Sequence, residues 1–281
     1  MKQLIIVIIL TSLTQNLVYA GGGWTPLKGE GFFMLSQRSI SGTFHSNTQA
    51  IIGKSPFSQV MTTNFYGEYG ITDRFCGIIY SPFLTFAKQD KGTDEFGNIF
   101  ESDNAIGMGD IDLAIKYRLL KGNYNLSASA WFGINSGNYS AGKTKQLHLG
   151  DGEFNQILRF DLSHAFRSFW WTIYAGFNHR TKNTSNEILA GGELGWKKGK
   201  FIGILKIDNR SSLFDGSRIE SYTPGIYSSN LEYFGITTQV LYKLKGNLGL
   251  SLDAGFAPYL RNIIAAPSFT IGVYYNLKRS D

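Results

Sequence analysis

Residues 106–120 read IGMGDIDLAIKYRLL, and their alternation decides the fold. At period two, Ile111, Leu113, Ile115, Tyr117 and Leu119 fall on one face, while Asp110, Asp112, Ala114, Lys116 and Arg118 fall on the other. One face is oily and the other carries charges of both signs, as expected of a strand between lipid and water. The pattern returns at 153–166, where Leu158, Phe160 and Leu162 oppose Arg159, Asp161 and Ser163. It returns again at 247–258, with Leu248, Leu250, Leu252, Ala254 and Phe256 against Gly249, Ser251, Asp253 and Gly255. Phe269, Ile271, Val273, Tyr275 and Leu277 give the last apolar stripe.

Composition agrees with a chain rich in strands. Charged residues are only 17% and aromatics reach 15%, and the 43% hydrophobic content excludes a disordered chain. Cys76 is a single cysteine, so no disulfide scaffold is possible. Lys2, the apolar run 4–10 and Val18-Tyr19-Ala20 have the layout of a secretory signal peptide over 1–20, cleaved before Gly21. Without Lys2 the balance is 26 basic against 21 acidic residues, a small and scattered excess that argues against nucleic acid as a partner. Beyond residue 20 no stretch has the roughly 18 apolar residues of a membrane helix.

A soluble sandwich also alternates, so the connections must decide. Strands are expected near 30–40, 58–70, 74–87, 106–120, 123–136, 153–165, 168–180, 187–197, 200–210, 230–244, 247–258 and 267–278. Tight turns at 71–73, 121–122, 166–167, 198–199 and 245–246 alternate with long polar loops around 41–57, 88–105, 137–152, 181–186, 211–229 and 259–266. This is the asymmetry of an outer-membrane barrel, with short periplasmic turns and long external loops. The expectation is all-β: a single, monomeric, twelve-stranded antiparallel transmembrane β-barrel over 30–281, in the outer membrane of a Gram-negative bacterium. Residues 21–29 would form a periplasmic segment or a hatch in the lumen, held by Trp24 and Pro26. Tyr117, Phe132, Trp170, Trp171, Phe177, Trp196, Phe201, Tyr233, Tyr242 and Tyr275 lie near segment ends, where interfacial girdles are expected.

The wet face predicts a lumen lined by Asp110, Asp112, Lys116, Arg118, Arg159, Asp161, Arg180, Glu193, Lys197, Lys206, Asp208, Arg210 and Asp253. Lys116 and Arg118 are expected to pair with Asp110 and Asp112, and Arg159 with Asp161. In a packed interior, loss of the Asp112 carboxylate would then strand a cation and cost about 3–5 kcal/mol. No catalytic set emerges. His45, His148, His164 and His179 are scattered, and adjacent Ser163 and His164 point to opposite faces of a strand. The loop acids Asp90, Asp94, Glu95, Glu101, Asp103, Asp151 and Glu153 match no calcium loop, so neither metal nor cofactor is expected.

Several stretches resemble the outer-membrane family known as "MetA-pathway of phenol degradation", distantly related to long-chain fatty-acid transporters. They are Gly22-Gly23-Trp24-Thr25-Pro26 with Lys28-Gly29-Glu30-Gly31-Phe32-Phe33, then Gly107-Met108-Gly109-Asp110-Ile111-Asp112-Leu113-Ala114-Ile115-Lys116-Tyr117-Arg118, and Gly150-Asp151-Gly152-Glu153 followed by Gln156. The resemblance covers the first 60% of the chain and implies a channel or transporter for small hydrophobic or aromatic molecules. Such barrels commonly end on an aromatic read by the assembly machinery, whereas here Tyr274-Tyr275-Asn276-Leu277 is followed by Lys278-Arg279-Ser280-Asp281. Expected partners are membrane lipid and lipopolysaccharide, the assembly machinery and small apolar solutes. The rival reading is a structural or surface-interaction barrel with a closed lumen, binding a partner through the loop aromatics Phe96, Phe100, Tyr139, Phe214, Tyr222 and Tyr227. Trypsin added to intact cells should cut at Lys88 and Lys91 and spare Lys121 and Lys198. Earlier cleavage at either of the latter would invert the topology.

Overall fold

The computed structural model describes residues 22–217 and 225–279. The expected signal peptide, Tyr222 and the last two residues lie outside them. Among the described residues the strands are β1 (Gly31–Ser46), β2 (Ile52–Gly70), β3 (Phe75–Gln89), β4 (Gly92–Thr93), β5 (Ile99–Phe100), β6 (Asp103–Gly107), β7 (Ile111–Leu120) and β8 (Tyr124–Ile134). They continue as β9 (Asn155–Phe166), β10 (Phe169–Arg180), β11 (Glu187–Lys198), β12 (Phe201–Ser212), β13 (Glu232–Lys243), β14 (Leu248–Arg261), β15 (Ile263–Ile264) and β16 (Ser268–Leu277).

Each long strand pairs antiparallel with its sequence neighbours, and β1 pairs with both β2 and β16. Gly31 stands opposite Tyr69 on one side and Leu277 on the other, so the sheet closes. Strands β6 and β7 together form one stave, and β4, β5 and β15 belong to the loops, which leaves the twelve staves that the alternation required. Outward positions such as Leu113, Ile115, Leu158, Phe160, Leu252 and Ile271 are exposed, forming the apolar belt. At the turn end, aromatics ring the wall: Phe75 packs on Tyr117 and Phe201 on Tyr242, both with ring centres 4.7 Å apart. Tyr124 adds His164 and Trp171 to this girdle. Trp170 and Tyr233 do not join it, because they share the inward face with Thr172 and Arg210.

Two expected loops are largely strand. Within 41–57 only residues 47–51 connect β1 to β2, and β14 and β15 together take up 259–261 and 263–264 of the loop expected at 259–266. These strands rise beyond the lipid, where outward side chains no longer need to be apolar and the alternation that marks a strand fades. The reverse correction applies to 106–120, which breaks at 108–110. There Gly109 N–H donates to Pro82 O at 2.8 Å, and a side chain at residue 109 would collide with the Pro82 ring.

The loop between β8 and β9 folds back over this break. Asp110 accepts from Gly137 N–H at 2.8 Å and Asp151 N–H at 2.6 Å, and a Cβ on Gly150 would strike the same carboxylate. The second tether is Asp103, on β6 above the belt. Its carboxylate accepts from Thr144 Oγ1 at 2.6 Å, Thr144 N–H at 2.7 Å and Lys143 N–H at 3.1 Å. Burial pushes this carboxyl upward, but those bonds and the Asn104 amide outweigh it and hold it down at about 2, from an ordinary 3.8. A depressed carboxyl stabilises the folded form above its unfolded value and ceases to do so as pH falls through the folded one. Protection of the Lys143 and Thr144 amides from deuterium exchange, taken relative to the intrinsic rate at each pH, should therefore be high at neutral pH and fall between 3.8 and about 2. In Asp103→Asn these amides should exchange fast throughout; unchanged protection would show that the loop is held by something else.

Candidate functional site

The inward face is the site, and it changes character along the barrel axis. At the turn end it is apolar: Phe32, Ile202, Ile204, Leu241 and Tyr274 form a buried cluster, with Met34, Tyr66 and Trp170 packed against it. Small residues opposite make room for the large rings, since Cβ atoms on Gly195 and Gly249 would overlap Trp170 and Tyr274. Sequence alternation showed which side chains point inward but not that those nearest the turns are greasy.

Residues 22–27 cross beneath this cluster. Glycine 29 N–H donates to Gly70 O at 2.9 Å, beside β2, while Gly23 N–H reaches Ser163 Oγ at 2.7 Å on β9, across the barrel. Ser163 is itself hydrogen-bonded to Thr172 Oγ1 at 2.7 Å. Thr25 and Pro26 are fully buried, and any side chain at 23 would overlap the Asn125 and Asp161 carbonyls. Trp24, the expected anchor, is only half-buried; the glycine backbone and the buried Thr25-Pro26 hold the segment instead.

Above the apolar cluster lies a cavity of about 270 Å³, bordered by Tyr66, Arg159, Tyr174, Glu193, Lys206 and Asp208. Arg159 pairs with Asp161 at 2.5 Å as expected, although along one strand rather than across the interior. Its guanidinium lies 3.7 Å from the centre of the Tyr174 ring, whose hydroxyl donates to Asp208 at 2.6 Å. Trp170 Nε1–H donates to Glu193 at 3.1 Å. Lys116 does not pair with Asp110 or Asp112. It meets Glu68 at 3.5 Å, with both side chains buried, and Tyr66 donates its hydroxyl to the same carboxylate. Arg118 sits at the periplasmic rim, donating to the Asp73 carbonyl. Asp253 faces inward and accepts from Ser251 at 2.8 Å. Glu68 escaped the sequence reading because it stands alone on its strand, flanked by Gly67 and Tyr69.

One inward step further out lies a second cavity, of about 180 Å³, bordered by Arg38, Tyr80, Asp112, Asp151, Arg210 and Tyr227 among others. Arg180, at the end of β10, braces its roof. It donates to Glu153 at 2.7 Å, to Glu187 at 2.9 Å and to the Ser229 and Ser228 carbonyls at 2.9 and 3.2 Å, so one guanidinium joins two loops to β11. Arg210 approaches Glu187 at 3.6 Å from the next strand. Of the loop aromatics, Tyr227 borders this cavity, Phe100 is buried, Tyr139 packs on His148 and Phe96 lies half-buried against Gly53, while Phe214 is exposed. The histidines stay apart: His164 bonds Asn123 O in the girdle at the turn end, and His179 bonds Asn186. Among the described residues no three His, Cys, Asp or Glu side chains converge on a metal-sized site.

The closed wall, apolar belt and filled lumen match known membrane barrels. The chain superposes on an outer membrane channel from Pseudomonas putida F1 with a TM-score of 0.57, at 11% identity, covering 92% of this chain and 99% of that one. The chain is an outer-membrane β-barrel. The NanC porin gives a TM-score of 0.54 at 10% identity, covering 86% and 98% respectively. No protein-family model and no curated protein matches the sequence. The barrel therefore sits in a Gram-negative outer membrane, its short turns toward the periplasm.

These contacts reassign the cost of removing a carboxylate. Asp112 is partly exposed to a cavity and makes no hydrogen bond or ion pair among the described residues, whereas Glu68 neutralises a buried lysine. Glu68→Gln should cost about 3–5 kcal/mol, seen as a lower unfolding midpoint of the detergent-solubilised barrel. Asp112→Asn should cost about 1 kcal/mol or less. The reverse ranking would mean that Asp112 holds the interior together.

Proposed function

We propose that this barrel is a narrow outer-membrane channel for small aromatic molecules, closed at rest by its own segments. The carrying observation is the stack of two cavities along the axis, which differ by one inward step on β9, from Ile157 to Arg159, and on β12, from Arg210 to Asp208. A purely structural barrel has no need of aligned space. Tyrosines border both cavities, Tyr80 and Tyr227 the outer and Tyr66 and Tyr174 the inner, and offer ring faces to a flat solute. The Arg159–Tyr174 stack belongs to the wall of the inner one. The family resemblance of the N-terminal and G-x-G-D stretches points to the same cargo class. On this reading residues 22–27 are the hatch on the periplasmic side, and the Arg180-braced loops narrow the outer side.

The test is single-channel recording in planar bilayers. Gly23→Val drives the hatch from its seat without altering any wall residue, because the added side chain collides with the Asn125 and Asp161 carbonyls. Conductance should be low in the unaltered barrel and rise about twofold or more in Gly23→Val, since an added aqueous path lowers the barrier that a dry constriction imposes on ions. Liposomes carrying the variant should admit phenol-sized solutes faster. If neither form conducts or admits solute, the lumen is closed and the barrel serves through its surface.

A further inference from the structure

The outer cavity holds two charges with no direct partner. Arg38, on β1, and Asp112, on β7, both border it, yet neither makes a hydrogen bond or ion pair with any described residue. The neighbouring charges are engaged: Asp110 by loop amides, Asp151 by Asn155 Nδ2 at 2.5 Å, Arg180 by Glu153 and Glu187, and Arg210 by Glu187 at 3.6 Å, although Arg210 Nε has no hydrogen-bond partner and its charge also acts on Asp112. Two strands separate the free cation from the free anion, and Tyr80, on the second of them, stands cross-strand from Asp112. Its hydroxyl is fixed by Asn64 at 3.0 Å, so the ring is held in place. Tyr227 descends from the opposite loop to the same cavity.

A guanidinium and a carboxylate bordering one small cavity, the first exposed and the second partly exposed, make a local dipole across it. A neutral solute must displace the water on both charges and returns nothing for it. A singly charged solute satisfies one and leaves the other dehydrated. A solute with both charges replaces both hydration shells with charge-assisted hydrogen bonds.

We propose that the outer cavity is a binding station for small zwitterionic aromatic molecules of the amino-acid type. The carboxylate faces Arg38, the ammonium faces Asp112 and the ring lies against Tyr80 and Tyr227. The proposal rests on the channel reading for where the bound molecule goes next, and it names the cargo class that reading leaves open.

Isothermal titration of the full detergent-solubilised barrel tests it with four probes: L-phenylalanine, 3-phenylpropionate, phenethylamine and phenol. Phenylalanine should bind about tenfold tighter than either singly charged probe, the value of one charge-assisted hydrogen bond. Arg38→Gln should weaken phenylalanine and phenylpropionate by about that factor and leave phenethylamine unchanged. Asp112→Asn should do the converse, with heat-modifiable gel mobility confirming that both variants fold. Phenol binding as tightly as phenylalanine, or variants that leave phenylalanine affinity unmoved, would overturn the station. Conductance separates the two readings: binding without conduction sinks the channel and keeps the station, and conduction without binding does the opposite.

Discussion

Lipid offers no hydrogen bonds, so every backbone amide and carbonyl of a spanning strand must find a partner within the sheet. Here that constraint is met by β1, whose Gly31–Ile40 stretch is bonded on both sides, to β2 and to β16. Without that closure two edges would face hydrocarbon, each lost bond costing several kcal/mol. Closure also sorts the side chains. Apolar residues go outward by necessity, and everything polar on the strands is delivered to one narrow interior. That interior then has to be packed, paired or hydrated. The barrel packs its periplasmic end with Phe32, Tyr274 and Leu241, pairs its middle through Lys116–Glu68 and Arg159–Asp161, and leaves water-accessible space toward the outside.

The glycine-rich stretches gain a physical meaning from the same interior. Asp110 and Gly150 lie forty residues apart in sequence, yet they touch: the carboxylate takes two loop amides, and the glycine is there because a side chain would occupy the carboxylate's place. Gly109 lets the strand approach Pro82. The G-x-G-D and G-D-G-E stretches are thus two halves of one clamp that presses a loop onto the wall. Sequence reading set them side by side only through resemblance, because a contact between a strand break and a loop leaves no periodic trace.

Much of the wall was legible. Period two on Ile111 to Leu119 and on Leu248 to Phe256 named the outward residues, and tight against long connections gave the strand number and orientation. Of the charges expected on the inward face, Asp110, Asp112, Arg180 and Arg210 border the outer cavity and Arg159, Glu193, Lys206 and Asp208 the inner one, whereas Arg118 lies at the rim. What failed was partnership: Lys116 took Glu68 rather than Asp112, since partners on a curved wall depend on strand stagger, which alternation does not encode. Aromatics misled in the same way. Trp170 and Trp171 look alike in sequence, but adjacent residues on a strand face opposite ways, so one fills the lumen and the other joins the girdle. The height of β1 and β2 was missed because their upper halves stand in water on both sides, where nothing enforces the pattern.

The bond from Gly23 to Ser163 spans 140 residues. That contact cannot form before β8, β9 and β10 have paired, because all three share its seat. The segment that precedes the first strand in the chain can accordingly settle only after strands in the middle of the chain have come together. Loop-closure entropy makes that step slow relative to the hairpins. Maturation of this barrel thus carries a step in which the chain's leading end finds a seat built by strands that follow it by more than a hundred residues.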